Sequence, residues 1–208
     1  MAEGVLWTVG LLCLAVYVLA RILAETGSRR ELEKFEALRA AAPARVLPAD
    51  RSHDRSLWSP ARIRAYRESL KKKAAAPLAV LRVPKVGIEV PVLEGTDDWT
   101  LNRGVGHIEG TAAPDGAGNC GIAGHRDGFF RALKDVAAGD TLELATLGET
   151  ATYRIESIRI VAPEEVSVLD PTPMPSVTLV TCYPFYFVGS APQRYVVRAV
   201  RLPSEQSR

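Results

Sequence analysis

The sequence predicts an all-β fold, a closed eight-stranded barrel with short helices, preceded by a transmembrane helix and a helical stalk. Three observations carry this prediction. From Leu78 onward, short apolar runs alternate with turn residues, and eight such runs are enough to close a small barrel. Far upstream, "GVLWTVGLLCLAVYVLA", Gly4 to Ala20, holds no charge. Between the two, residues 25–77 place apolar side chains at helical spacing, interrupted by prolines. The predicted organisation is a transmembrane anchor over 1–24, a helical stalk or linker over 25–77, a β-barrel domain over 78–203 and a polar tail over 204–208.

The seventeen uncharged residues are at the lower limit for spanning a bilayer, and the stretch lengthens if Arg21 snorkels. A cleaved signal peptide would show a basic n-region and a small-x-small cleavage site, and neither is clear. The anchor is therefore the preferred reading. No Lys or Arg precedes the span, whereas Arg21, Arg29, Arg30 and Lys34 follow it. This bias favours a cytoplasmic C-terminal side and speaks against an exported domain.

In the stalk, "SRRE" offers a capping box, with Ser28 as cap and Glu31 reaching back. Leu32, Phe35 and Leu38 continue that helix until Pro43. Ser59-Pro60 opens a second helix with proline at its first position, and Ile63, Tyr66 and Leu70 line one face. Lys71, Lys72 and Lys73 suit its C-terminal dipole, and Pro77 ends it. The predicted strands are "LAVLRV", "GIEVPVLEG", "GVGHIEG", "GNCGIAGH", "TLELAT", "ATYRIESIRIV", "SVTLVTC" and "RYVVRAVRL". In the sixth, the apolar parity flips between Tyr153/Ile155 and Ile158/Ile160, which predicts a bulge or sharp bend. Short helical pieces are expected at "DDWTLNRG" and "GFFRALKDV".

Composition narrows the function classes. The 208 residues are 47% apolar and 24% charged, with a net charge of +2, so there is no surplus of clustered basic charge for a nucleic-acid partner. No zinc-finger spacing, Walker loop or internal repeat occurs. Glu109, Asp115, Glu164 and Glu165 supply carboxylates without ordered ligand spacing, so no metal or other cofactor is expected. Three cysteines do not define a disulfide scaffold. Cys13 lies in the apolar span, and Cys120 and Cys182 remain open to pairing in an oxidising compartment.

Cysteine chemistry needs a thiolate, and an ordinary thiol with a pKa of about 8.5 is mostly protonated at neutral pH. An imidazole can take that proton and later return it to a leaving amine, and a fixed cation can stabilise an oxyanion. Cys182 closes "SVTLVTC" just before Tyr183-Pro184, at a strand end where a side chain is both held and accessible. Arg194 starts the next strand, so antiparallel pairing would place it beside the sulfur. His125 ends the glycine-bearing strand "GNCGIAGH", His107 in "GVGHIEG" is a second candidate, and His53 falls in the stalk. Taken singly, each of these residues is as well explained by ordinary core or surface roles.

Taken together they form a pattern. "TLVTC" at 178–182 followed by Arg194 in "APQRYVVRA" resembles the sortase signature, in which a TLxTC strand precedes an arginine. "GNCGIAGHRDGFFRAL" at 118–133, "GVGHIEGT" at 104–111 and "LRVPKVGIEVPVLEG" at 81–95 resemble further sortase segments in the same order. The "CYPF…GSAPQR" ending is most similar to class D sortases. One departure is Cys120, where sortases often carry an aliphatic or other small residue.

The resemblance implies a sortase-type barrel and a membrane-anchored cysteine transpeptidase. Its substrate would be an LPXTG-like sorting signal, cleaved between Thr and Gly through a thioester on Cys182 and transferred to an amine acceptor, either a cell-wall peptide or a pilin lysine. It also implies a single-pass cell-membrane protein with its catalytic domain on the extracytoplasmic side. The implied catalytic residues are Cys182, His125 and Arg194, with Thr181, the backbone of Tyr183, and His107 near substrate. Val168 and Leu169, in "APEEVSVLDPTPMPS" at 162–176, are the implied apolar wall for the Leu-Pro part of the signal. Three rival readings stay open: a membrane-tethered cysteine peptidase that uses water as acceptor, a non-catalytic anchored β-domain that binds a partner, and a redox module built on a Cys120–Cys182 disulfide.

Overall fold

A computed structural model describes residues 58–69, 76–186 and 189–203, together with Ala37. The apolar segment 4–20 and the first stalk helix lie outside the described residues, apart from Ala37. Among the described residues no helix is long and apolar enough to cross a membrane.

Eight strands form one closed barrel: β1 (Ala79–Val83), β2 (Ile88–Glu94), β3 (Val105–His107), β4 (Asn119–Gly124), β5 (Thr141–Ala145), β6 (Thr150–Val161), β7 (Ser176–Tyr183) and β8 (Gln193–Arg201). Around the barrel they run β1-β2-β3-β4-β7-β8-β6-β5, closing through β5 and β1. All eight coincide with the expected runs to within one or two residues at most ends, and β3 is the short exception. The pairs β2–β3 and β4–β7 are parallel and the other neighbours antiparallel.

The barrel closes because alternate residues along each strand are apolar and turn inward. Leu81, Val90, Ile122, Leu142, Leu144, Ile155, Leu179 and Val197 meet in one buried core. Burying each such side chain contributes roughly 1.5–3 kcal/mol. On β6 the pairing with β8 slips between Ile155 and Ser157, so one residue is inserted there. That bulge is the cause of the parity flip: Tyr153 and Ile155 pack inward before it, and Ile158 packs against the same core after it.

Helix α1 (Pro60–Ser69) begins where Ser59 Oγ accepts from the Arg62 N–H at 3.2 Å. This helix, expected as part of a stalk, packs directly on the barrel. Trp58, Tyr66 and Phe129 form an edge-to-face aromatic triangle with centroid separations of 4.7–6.0 Å, and Tyr66 is 1% exposed. Aromatic pairs of this kind add about 0.5–1.5 kcal/mol beyond their buried area. At the other end of the helix, the guanidinium of buried Arg103 donates to the Ser69 carbonyl at 2.7 Å. Arg103 closes helix α2 (Asp98–Arg103), which Asp97 caps by accepting from the N–H groups of Trp99 and Thr100. "GFFRALKDV" forms a 3-10 helix, Phe129–Asp135, with Phe129, Phe130 and Leu133 buried.

Candidate active site

The site is assembled at one end of three neighbouring strands, β4, β7 and β8. In the antiparallel β7–β8 pair, Cys182 sits directly opposite Arg194. In the parallel β4–β7 pair, Gly124 aligns with Thr181, so His125 follows at the level of Cys182. Adjacent strands run about 4.8 Å apart. His125, Cys182 and Arg194 thus stand in one row across the sheet although 57 and 12 positions separate them in the chain. Val177 and Leu179 face the core, so Thr181 turns inward with them and Cys182 turns to the outer face.

His125 and Cys182 line one open cleft of about 540 Å³. Its other walls include Arg62 from α1, Asp127 from the turn after β4, and Tyr186 from the β7–β8 connection. His125 Nε2 is buried and has no hydrogen-bond partner among the described residues. Burial, and after it the nearby Arg62 guanidinium, lowers the His125 pKa to about 4, against smaller opposing effects of Asp127 and Asp98. The imidazole is therefore neutral at physiological pH, with an unengaged nitrogen at the cleft.

Arg194 has a different posture. Its backbone is opposite Cys182, but its guanidinium donates to the carbonyls of Ala191 at 3.3 Å and Gln193 at 3.1 Å. Arg126 and Arg131 hold the same connection from the other side. Arg126 donates to the carbonyls of Pro184 and Gly189, and Arg131 to that of Phe185. The Arg131 guanidinium also lies 4.7 Å from the ring centre of exposed Tyr186. The segment leaving Cys182 is thereby framed by three arginines.

The remaining expected residues are dispersed. Thr181 is 2% exposed, and its hydroxyl donates to the Gly124 carbonyl at 2.7 Å, just before His125. The Tyr183 ring packs beside Phe185 and Tyr195. Val168 is buried against Val161 and Val196, with Leu169 at its side. Their loop is tied to the outer face of the sheet. The Val168 carbonyl accepts from Asn119 Nδ2 at 3.2 Å and from Arg198 at 2.7 Å. Leu169 approaches the floor at Gly121, where an added Cβ would come within 3.0 Å of its side chain. His107 lies outside the cleft of Cys182. One ring nitrogen bonds Glu94 at 3.1 Å, and the other donates to the Ala112 carbonyl at 3.0 Å with Thr111 close by. In that setting it braces the loop after β3.

Cys120 is on the opposite, core side of the sheet, and burial raises its thiol pKa to about 12. It aligns with Val177, five residues before Cys182 on β7, or roughly 16 Å along the strand. Both cysteines are free. The Cys120–Cys182 disulfide that the sequence left open is thus excluded by side and by distance, since a bridge needs Cα atoms within about 7 Å. Among the described residues no cluster of His, Cys, Asp and Glu could hold a metal ion.

Sequence reasoning missed Arg62, Arg126, Asp127 and Arg131. The "RDG" after His125 marked a charged turn, but nothing in the sequence links it to a helix residue 65 positions earlier.

Comparison with known proteins shows the family and the fold. A sortase-domain family model matches residues 81–202. The chain is 36% identical over 135 residues to Sortase D of Bacillus subtilis (strain 168), covering 64% of this chain and 68% of that protein. It is 39% identical over 125 residues to Sortase SrtE1 of Streptomyces coelicolor, covering 51% of this chain and 36% of that one. Among solved structures, sortase C-1 from Actinomyces oris superposes with a TM-score of 0.57 at 30% identity, over 82% of this chain and 99% of that one. A Clostridium perfringens Sortase D5 transpeptidase shares the fold, with a TM-score of 0.63 at 24% identity, over 86% of this chain and 99% of that one. The chain belongs to the sortase family, whose members are cysteine transpeptidases. The match to Sortase D accords with the class D likeness expected from the sequence.

Proposed function

We propose that this sortase cleaves an LPXTG-like sorting signal between Thr and Gly and transfers the acyl fragment to an amine, with Cys182 as nucleophile, His125 as proton carrier and Arg194 as oxyanion or backbone donor. The observation that carries the reading is the row His125–Cys182–Arg194 on adjacent strands, with sulfur and imidazole sharing a cleft.

The Cys182 thiolate attacks the Thr carbonyl carbon, and the tetrahedral intermediate collapses by breaking the C–N bond. The His125 imidazolium gives its proton to the departing Gly amine, leaving a thioester and a neutral imidazole. An acceptor amine then attacks the thioester and yields its proton to His125, and the C–S bond breaks to restore the thiolate. Arg194 reaches the developing oxyanion by exchanging its contacts with the Ala191 and Gln193 carbonyls for substrate. Val168 and Leu169, pinned over Gly121 and Val196, supply the apolar wall for the Leu-Pro part of the signal. Thr181 holds the His125 turn, while Tyr183 offers its backbone at the nucleophile.

With His125 neutral at pH 7, the reactive form that carries an imidazolium is a minor population. The expected pH–rate profile is bell-shaped, and a monotonic profile over the stable range contradicts it.

The charge-free segment 4–20 supports a single-pass membrane anchor. Placement of the barrel outside the cell, where sorting signals and amine acceptors such as cell-wall peptides or pilin lysines are met, rests on membership of the sortase family and runs against the basic bias that follows the span. The deciding experiment is trapping. Sorting-signal peptides incubated with reduced, folded protein should give an intact-mass adduct on Cys182, and an added amine should convert it to the ligated product. No adduct across varied peptides defeats the proposal. Adduct that only water resolves makes the protein a peptidase instead.

A further inference from the structure

Helix α1 does more than cover the barrel: it delivers a cation to the cleft. Arg62 Nε donates to Asp127 Oδ1 at 3.0 Å, its terminal nitrogen lies 3.0 Å from the same oxygen, and Nη1 bonds the Asn102 side-chain oxygen. Arg62 and Asp127 are largely shielded, at 17% and 31% side-chain exposure, and both line the cleft of His125 and Cys182. The guanidinium is thus fixed from two sides beside the imidazole, on an element that lies outside the 81–202 sortase match.

We propose that Arg62 is a positioning residue for transfer: from helix α1 it pins Asp127 and sets a fixed positive charge in the cleft beside the His125 imidazole. This rests on the reading of His125 as the proton carrier.

The physical logic follows from the groups around the ring. Arg62 comes from α1, Asp98 from α2, Arg126 and Asp127 from the turn after β4, Arg131 from the 3-10 helix, Cys182 and Tyr186 from β7 and its connection, and Arg194 from β8. Asp127 is the carboxylate best placed to stabilise an imidazolium, and Arg62 occupies it. Burial and then the Arg62 cation oppose protonation of His125, while Asp127, held by Arg62, favours it by less. Arg62 therefore keeps the imidazole a free base that can receive a proton, and it raises the acidity of the imidazolium that must release one to the leaving amine.

The test is a titration of His125 that needs no turnover. Histidine-labelled full-length protein in detergent is followed by NMR, with the His125 signal identified by its loss in His125→Gln. Arg62→Gln should raise the His125 midpoint by about one pH unit. Asp127→Asn should move it the opposite way. Arg103→Gln, which loosens the far end of α1 without touching the cleft, should leave it in place. The histidine limb of the pH–rate profile should follow the same signs. An unmoved midpoint in Arg62→Gln overturns the proposal. So does a rise of equal size in all three variants, because that would report loosened packing rather than charge. If Arg62→Gln does not fold, the downward shift in Asp127→Asn alone decides: its presence supports the pair and its absence refutes it. A midpoint that behaves as expected in a protein that never forms a Cys182 adduct would sink the transpeptidase reading while leaving the electrostatic coupling intact.

Discussion

The hydroxyl of Thr181 donates to the carbonyl of Gly124 at 2.7 Å, tying the two residues that immediately precede Cys182 and His125. The tie is buried and spans the parallel β4–β7 pair. It fixes the imidazole's turn relative to the sulfur's strand. Gly124 is constrained on its other side as well, since an added Cβ would lie 2.6 Å from the Phe130 ring.

Replacing Thr181 with Val keeps the β-branched shape but removes the donor. The expected loss of stability is about 1–3 kcal/mol, the range for orphaning a buried acceptor. Because His125 loses a brace while the lining of the cleft, which does not include Thr181, is unchanged, kcat should fall more than KM changes. Denaturant unfolding together with steady-state transpeptidation would check both parts. A variant that loses stability but keeps full kcat would show that the bond serves only the fold.

Arg194 gives a second prediction. Its guanidinium is part-exposed and bonded to loop carbonyls, so the fold does not depend on it. Arg194→Ala should leave the melting temperature nearly unchanged and lower kcat/KM by about 10²–10³-fold, as loss of one oxyanion donor does. Arg194→Lys should recover only part of this, because an ammonium cannot present the planar two-pronged donor. If Ala and wild type turn over alike, the row of three residues is scaffold.

The barrel was legible because a strand writes its orientation into every second residue. Even the β6 bulge showed, since one inserted residue shifts the apolar positions from Tyr153 and Ile155 to Ile158. The meeting of His125 with Cys182 was not legible from periodicity. It depends on β4 lying beside β7 in parallel, and non-consecutive pairing leaves no local mark in sequence. Only the resemblance of several motifs in order suggested it. The arginine tethers were invisible for another reason. Arg126, Arg131 and Arg198 all bond backbone carbonyls, and a carbonyl is present at every position. The docking of α1 was half visible: Tyr66 marked an apolar face, but the partners Phe129 and Asp127 are distant in the chain.

The two barrel cysteines should differ sharply in reactivity. Cys182 opens to the cleft, whereas Cys120 is 3% exposed with its thiol pKa raised to about 12 by burial. Brief alkylation of native protein, followed by peptide mass mapping, should label Cys182 and spare Cys120. Denaturation should expose Cys120 at once. Labelling of Cys120 at the rate of Cys182 in native protein would place it in an accessible environment that this barrel does not provide.

His125 also makes a prediction about acid stability. Its native pKa, about 4, is below its usual value of 6.5. Between those values the unfolded chain binds a proton at this position and the folded chain does not. Acidification through that window therefore favours unfolding, and stability gains as pH rises through it. The penalty is absent above about pH 6.5 and complete below about pH 4. Asp97 and Asp140 have lowered pKa values, held by hydrogen bonds from Thr100 and Lys85 respectively, so their stabilising contributions also fade as acid protonates them. The difference between two proteins isolates the histidine. Melting temperatures of wild type and His125→Gln, measured from pH 7.5 to 4, should keep a constant offset above about 6.5. Below that, wild type should fall faster than the variant. Parallel curves across the whole range would mean that the imidazole titrates in the folded chain as it does in the unfolded one, and the lowered pKa at this cleft would have to be abandoned.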